Sequence, residues 1–289
     1  MPATARRNEL HALAEDLATM RCAAREAGWL AIDFRRRGQT EAWEKAPGHP
    51  VTEADLAVNT FLARRLGAAR SDYGWLSEET VDDRRNRSPD RVWVVDPIDG
   101  TRAFMRKDPN WCIGLAVVER GAVVAGVIYA PDHDELYEAR RGGGAYLNGN
   151  PIAASARADL DGSRMIASES LLAHKDWPEP WPDMHVARPK PNATLLRLAR
   201  VASGAFDATI ALWRKSDWDL APGDILVSEA GGRATTHLGE TFVYNRAIPA
   251  QRSVIAAGKA LHPLLVERTG SLRLPDPNDA ARAVNPSTR

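Results

Sequence analysis

The sequence predicts a mixed helix-and-strand protein in two halves, α+β in the first and α/β in the second. Three observations predict it. Two apolar-periodic helical stretches open the chain. From residue 91 the texture changes to short β-branched runs separated by turn residues. Beyond residue 160, strand-like and helix-like segments alternate, which is the pattern of an α/β layer.

Taken in order, residues 9–37 read as a helix, because Leu10, Leu13, Leu17 and Met20 recur at three- and four-residue steps and Ala-rich spacing continues to Trp29. Gly38 ends it. Residues 44–50, Glu-Lys-Ala-Pro-Gly-His-Pro, read as a polar loop. Thr52 precedes a second helix with Leu56, Val58, Phe61, Leu62 and Leu66 on its apolar side and Asp55 in its first turn. Arg91–Asp96 reads as a buried strand, with Ile113–Val118 and Ala122–Tyr129 as two more. Leu136–Ala139 and Ala145–Leu147 form a hairpin about Arg140–Gly144, and Asn148-Gly149 is a further turn. In the second half, strands are expected at Met165–Ser168, His185–Ala187, Ala208–Leu212 and Ser253–Ala257. Helices are expected at Thr194–Ser203, Asp219–Ala230 and Lys259–Arg268. The expected division is 1–152, 153–270 and a loosely held Pro- and Asp-rich tail, 271–289.

Composition excludes several functions. The chain has 289 residues, with 38 Lys+Arg against 38 Asp+Glu. That balance argues against bulk binding to nucleic acid or an anionic membrane. The longest apolar run, Ala122–Ala130, is about nine residues, against the roughly 20 a spanning helix needs. Residues 1–20 lack the apolar core of a secretory signal. Two cysteines without paired spacing exclude a disulfide scaffold and a Cys-based zinc site, so a reduced, cytoplasmic setting is expected.

The chemistry is concentrated in Asp96-Pro97-Ile98-Asp99-Gly100-Thr101, directly after a strand. Two carboxylates three residues apart on a proline-pinned turn can converge on one point. Gly100 permits close backbone approach, and a helix starting near Thr101 would aim N–H groups at an anion. Acids beside an anion seat are contradictory unless a cation lies between them. An Asp-Pro or Asp-Gly pair is also, by itself, an ordinary turn. Ser77-Glu78-Glu79, Asp55 and Asp219 in Trp218-Asp219-Leu-Ala add acids, and each alone could be a helix cap or a solvated side chain.

Together, Glu78-Glu79, Asp96-Pro-Ile-Asp-Gly-Thr101, Trp218-Asp219-Leu-Ala and Glu229-Ala-Gly-Gly232 resemble the inositol monophosphatase family of magnesium-dependent phosphatases, over residues 10–268. The resemblance implies a layered α-β-α-β-α phosphatase sandwich, with an antiparallel sheet in the N-terminal half and a mixed sheet in the C-terminal half. It implies a homodimer and lithium sensitivity. It implies two or three Mg²⁺ per site: Glu78, Asp96 and the Ile98 carbonyl at the first, Asp96, Asp99 and Asp219 at the second, and Glu78 beside a weaker third. Asp55 and Thr101 match the pair that orients the attacking water, Gly100 and Thr101 the phosphate cradle, and Glu79 a nearby acidic support. The all-oxygen donor set independently suits a hard ion such as Mg²⁺. Two such ions can hold the entering and leaving oxygens of an in-line displacement without a side-chain nucleophile.

Two segments depart from the family pattern. Lys190-Pro-Asn-Ala-Thr194 stands where a Gly-Ser or Gly-Thr loop is usual, and Leu212-Trp-Arg-Lys-Ser-Asp217 lacks the expected Glu. Substrate contacts are therefore expected from Asp99, Gly100, Thr101, Asp219, Thr194 and Arg214. Arg214 and Lys215 either face solvent or favour a second phosphate, with Trp213 as a stacking surface. The leading expectation is a phosphomonoesterase acting on inositol-1-phosphate or a similar polyol phosphate. The alternatives are a 3′(2′),5′-bisphosphate nucleotidase, a histidinol phosphatase, or a regulatory binding protein that keeps the fold. Lys45 would belong to a mobile loop near the metals. Gly142–Gly144 lacks the Gly-Lys-Ser/Thr ending of a phosphate loop. No His-x-x-x-His pair and no Gly-x-Ser-x-Gly elbow occurs. The Trp177/Trp181 segment reads as packing or subunit contact.

Overall fold

The computed structural model describes residues 3–38, 41–46, 49–87, 90–173 and 177–278. Helix α1 (Ala3–Arg37) buries Leu13, Leu17, Met20, Ala24, Ala27 and Ala31, spaced by three and four so that they form one stripe. Gly38, at φ +70°, ends it. Residues 44–50 are not the expected loop. Strand β1 (Ala42–Ala46) pairs antiparallel with β2 (His49–Thr52) as a separate two-stranded hairpin. Its pairing is carried by the backbone of a sheet edge, which tolerates Pro50, so no side-chain alternation announced it. Residues 47 and 48 lie outside the described residues.

Helix α2 (Glu53–Ala69) starts in a capping box: Thr52 caps it, and the Asp55 carboxylate accepts from the Thr52 N–H. Ala54, Val58, Leu62 and Leu66 face inward, while Leu56, expected on that face, is exposed. Seven strands form the large sheet: β3 (Gly74–Ser77), β4 (Arg91–Asp99), β5 (Cys112–Glu119), β6 (Ala122–Ala130), β7 (Glu135–Arg140), β8 (Ala145–Leu147) and β9 (Asn150–Ile152). They lie in chain order, and all neighbours are antiparallel except β3 with β4. The short helix α3 (Thr101–Met105) follows β4.

The second half adds β10 (Arg164–Ile166), α4 (Glu169–Leu172), β11 (His185–Val186), α5 (Thr194–Ala202), β12 (Ala208–Ala211), β13 (Lys215–Ser216), α6 (Ala221–Glu229), β14 (Gly232–Thr235), β15 (Ala250–Gln251), β16 (Val254–Gly258) and α7 (His262–Thr269). Five of these strands make a mixed sheet in the order β11-β10-β12-β16-β14. The layers follow from alternation along strands. Trp93, Val95, Leu115 and Val117 pack with α1 and α2, whereas Val92, Val94, Ala116 and Val118 pack with α5 and α6. Val254 and Ala256 join that second core from the other sheet, and Ile255 and Ala257 turn outward to α7. The result is α-β-α-β-α. The expected boundary at 152 falls at the end of β9, and one apolar core spans both halves through α5 and α6. Glycines allow the close approach of these layers: a Cβ on Gly114 would lie 2.1 Å from Leu195 Cδ1.

The tail is anchored over its described part, 271–278. Asp276 pairs with Arg252 at 2.7 Å, and Asn278 bonds the Ile248 and Ala250 backbone. Residues 279–289 of that expected tail lie outside the described residues. Trp177 and Trp181 meet edge to face at 5.1 Å, with Arg268 over Trp181. No helix among the described residues is long and apolar enough to cross a membrane.

Candidate active site

Sheet register assembles the acids. Parallel pairing of β3 with β4 sets Ser77 opposite Val95, and Glu78 N–H donates to the Val95 carbonyl at 3.2 Å. Glu78 is thereby held beside the C-terminal end of β4, where Asp96 begins the motif. The β4–β5 register is irregular between Asp96 and Asp99, which bends Pro97-Ile98 out of the ladder. Gly100 then takes φ +94° and caps α3, a conformation that favours glycine.

Asp219 arrives from the other half. It does not begin the helix as expected: α6 starts at Ala221, and Leu220 is its cap, without a side-chain bond. The Asp219 carboxylate instead accepts from Ser216 N–H at 2.8 Å, closing a turn between β13 and α6. The neighbouring Asp217 is fully buried and bonds Asn245 N–H and Gln251 Nε2 at 2.7 and 3.0 Å, which ties that turn to the β15 side.

Carboxylate oxygens of Asp96, Asp99 and Asp219 all lie within 4.8 Å of one another. Both oxygens of Asp96 are buried and lack any hydrogen-bond partner. Burial, then the negative charges of Glu78, Asp99 and Asp219, push its carboxyl well above the usual range. Asp99 is pushed to about 6 by burial and by Asp219, against a 2.6 Å bond from Leu195 N–H. Glu78 is pushed to about 7 by burial, opposed by Lys45, whose ammonium bonds Glu78 at 2.8 Å and Glu79 at 2.5 Å. For acids this close to be ionised together, one of them without a partner, positive charge must lie between them. Their all-oxygen donors, with the Ile98 carbonyl adjacent, fit a hard divalent cation.

Thr101 and Asp55 form a second unit. Thr101 Oγ1 lies 3.2 Å from both Asp55 Oδ1 and the Ile98 carbonyl. The capping box fixes the other Asp55 oxygen, so a residue in the first turn of α2 also orients Thr101. Burial pushes the Asp55 carboxyl up to about 6, against the Thr52 hydrogen bonds.

These groups line a cavity of about 330 Å³, a size ordinary for a small-ligand site. Glu78, Asp96, Ile98, Asp99, Gly100, Thr101 and Asp219 all face it. Asp55 and Glu79 stand just behind, through Thr101 and Lys45. Thr194 is buried and accepts from Lys215 Nζ at 2.6 Å. Arg214 is exposed and does not line the cavity, whereas its neighbours Trp213 and Lys215 do. Arg197 was not singled out from the sequence. Its signal was there: an arginine on the apolar stripe of Thr194-Leu-Leu-Arg-Leu-Ala-Arg-Val, three residues after Thr194 and four before Val201.

The model of the inositol monophosphatase family matches residues 13–273. The chain belongs to the inositol monophosphatase family. Among its relatives, an inositol-1-monophosphatase of Caulobacter vibrioides is 31% identical, covering 85% of this chain and 97% of that protein. A histidinol-phosphatase of Chlorobaculum parvum is 30% identical, covering 86% and 94%. Among solved structures of the family, an IMPase of Thermotoga maritima superposes with TM-score 0.73 at 27% identity, over 89% of this chain and 97% of the other. This chain thus has a phosphatase fold as well as a phosphatase family, and the layered sandwich expected from the motifs is present.

Proposed function

We propose that this protein is a magnesium-dependent phosphomonoesterase that hydrolyses a small phosphorylated polyol or related metabolite by direct attack of water. The observation that carries the reading is Asp96, a buried carboxylate with no partner, at the centre of converging acids. Glu78, Asp96 and the Ile98 carbonyl would hold one Mg²⁺, and Asp96, Asp99 and Asp219 another. When bound, magnesium supplies positive charge to the phosphoryl oxygens and acidifies coordinated water.

The chain's own residues do the rest. Thr101 Oγ1 donates towards Asp55 or the Ile98 carbonyl, so its lone pairs are free to accept a hydrogen bond from the attacking water. Asp55, buried behind it, receives the proton that the water yields through Thr101. Gly100 and Thr101 offer backbone amides to the phosphate. No Ser, Cys or His lines the cavity among the described residues, and in this reading its carboxylates are committed to holding the metals, which supports water as the nucleophile. We include the family's homodimer and lithium inhibition in the proposal.

The relatives' names include inositol-1-monophosphatase, histidinol-phosphatase, fructose-1,6-bisphosphatase/inositol-1-monophosphatase and Nus factor SuhB, and inositol-1-phosphate is the first substrate to test. The experiment is phosphate release, with Mg²⁺ or with chelator, from inositol-1-phosphate, histidinol phosphate, adenosine 3′,5′-bisphosphate and fructose-1,6-bisphosphate. Asp96→Asn serves as the blank. We expect metal-dependent release that the variant lacks. In ¹⁸O-water a single turnover should place label in the phosphate. Release that is unchanged in Asp96→Asn, or a phosphate without label, overturns the reading.

A further inference from the structure

The cavity is bipolar, and only its acidic half is explained by metals. Its other wall carries Lys190, Arg197 and Lys215, with Trp213 beside them. We propose that this wall is a seat for a second phosphate, so that the preferred substrate is a phosphate monoester whose leaving alcohol carries another phosphoryl group. The proposal rests on the phosphomonoesterase reading above and names its substrate class.

Arg197 is the strongest observation. It is only 3% exposed, and it is held from behind by the Pro191 and Asn192 carbonyls, which accept from Nε at 2.7 Å and Nη2 at 2.8 Å. Its Nη1 is buried and has no hydrogen-bond partner. A desolvated guanidinium with an idle donor is expensive to maintain unless an anion completes it. The negative charges that act on Arg197 are those of Asp99 and Asp219. Metal binding would neutralise both, leaving the cation unmatched.

Two lysines extend the same wall. Lys190 Nζ and Lys215 Nζ each lie 5.6 Å from the Trp213 ring centroid, on a ring that is 41% exposed. Lys215 is fixed by its bond to Thr194, and it points into the cavity from the strand that precedes Asp219. Burial, and then the like charges of Arg197 and Lys215, hold the Lys190 ammonium down at about 8. Mutual repulsion of this kind within one wall is what an anionic group would relieve. A cleft with acids at one end and cations at the other orients a bisphosphate: one phosphate goes to the metals and the other to the cations. Water forms the new P–O bond at the metal-side phosphate, the ester P–O bond breaks, and the alcohol leaves protonated with its second phosphate intact.

The test compares substrate pairs that differ only in the second phosphate: adenosine 3′,5′-bisphosphate against adenosine 3′-monophosphate, and fructose-1,6-bisphosphate against fructose-1-phosphate. We expect kcat/KM for the bisphosphate to exceed that of its monophosphate by about tenfold or more in at least one pair, as charge-assisted hydrogen bonds require. Lys190→Met should shrink that ratio, and Lys190→Glu should shrink it further. Lys190 is partly exposed, so both variants should fold, with unchanged circular dichroism as the check. A ratio near one in both pairs, or ratios unmoved by either variant, overturns the second seat while leaving the phosphatase reading intact. Absence of turnover on every substrate overturns that reading instead. Calorimetric titration of adenosine 3′,5′-bisphosphate into the magnesium-loaded protein then decides the seat: binding weakened by Lys190→Glu supports it, and no binding, or binding that the variant leaves unchanged, overturns it.

Discussion

Replacing Asp96 by Asn should make the metal-free protein more stable while abolishing its response to magnesium. Asp96 has both oxygens buried and unpartnered, within reach of two further carboxylates. Two unit charges at the 4.8 Å limit within which these oxygens lie repel by about 3.5 kcal/mol at an effective dielectric constant of ~20. The carboxamide is nearly isosteric and uncharged, so it relieves that repulsion without opening a cavity. In chelator, above neutral pH, the variant should gain on the order of 2–3 kcal/mol, or roughly 5 °C in Tm for a chain of this size. In magnesium at about a hundred times its Kd, the wild type should gain about 2.7 kcal/mol, and the variant little, so the order of stabilities reverses or closes. Thermal unfolding of both proteins with and without Mg²⁺ reads this directly. A variant less stable than wild type in chelator, or one that gains equally from magnesium, would refute the idea that Asp96 is a buried charge held for a cation.

Other consequences are accessible to simple assays. Asp55→Asn and Thr101→Val should each lower kcat by about 10²–10⁴-fold, and the double variant should lose little more, because the two act as one unit; additive losses would separate their roles. Gly114→Ala drives a methyl into Leu195, whose N–H holds Asp99, so urea unfolding should show a loss of about 1–3 kcal/mol together with weaker magnesium binding. Asp224, bonded by Tyr244 at 2.9 Å, has its carboxyl pushed by burial from 3.8 up to about 6. The unfolded chain therefore releases this proton before the folded one does. This group costs nothing below 3.8, and its penalty builds as pH rises to about 6 and stays above it. Asp224→Asn should stabilise by up to about 3 kcal/mol above that window and converge with wild type below it, as pH-dependent denaturation would show. His262 has the opposite linkage. Burial holds it down to about 4, so the fold keeps it neutral, and stability should fall as pH drops from 6.5 towards 4 unless His262→Gln removes the effect.

Much of this protein was legible in one dimension. The helix stripe Leu13, Leu17, Met20, the alternation through Val92–Val95 and the Asp96–Thr101 motif are local patterns. The periodicity of a helix or strand writes burial into sequence spacing, so elements and metal-ligand candidates could be named without coordinates. The Leu136–Leu147 hairpin was legible too, from its turn residues, and what escaped was set by pairing without such a signal. The β1–β2 hairpin and β3 have weak side-chain patterns and exist because backbone edges were available to bond. Asp219 looked like a helix cap, since sequence cannot distinguish a carboxylate that caps α6 from one that closes the turn before it. Glu78 reaches Asp96 only through the β3–β4 register, and Arg197 reaches the cavity only because α5 lies between the two sheets. Side-chain type determined the chemistry available to this chain. Which charges meet, with acids at one end of the cleft and an idle guanidinium at the other, was decided by the tertiary structure, because electrostatic energy depends on distances that chain spacing does not carry.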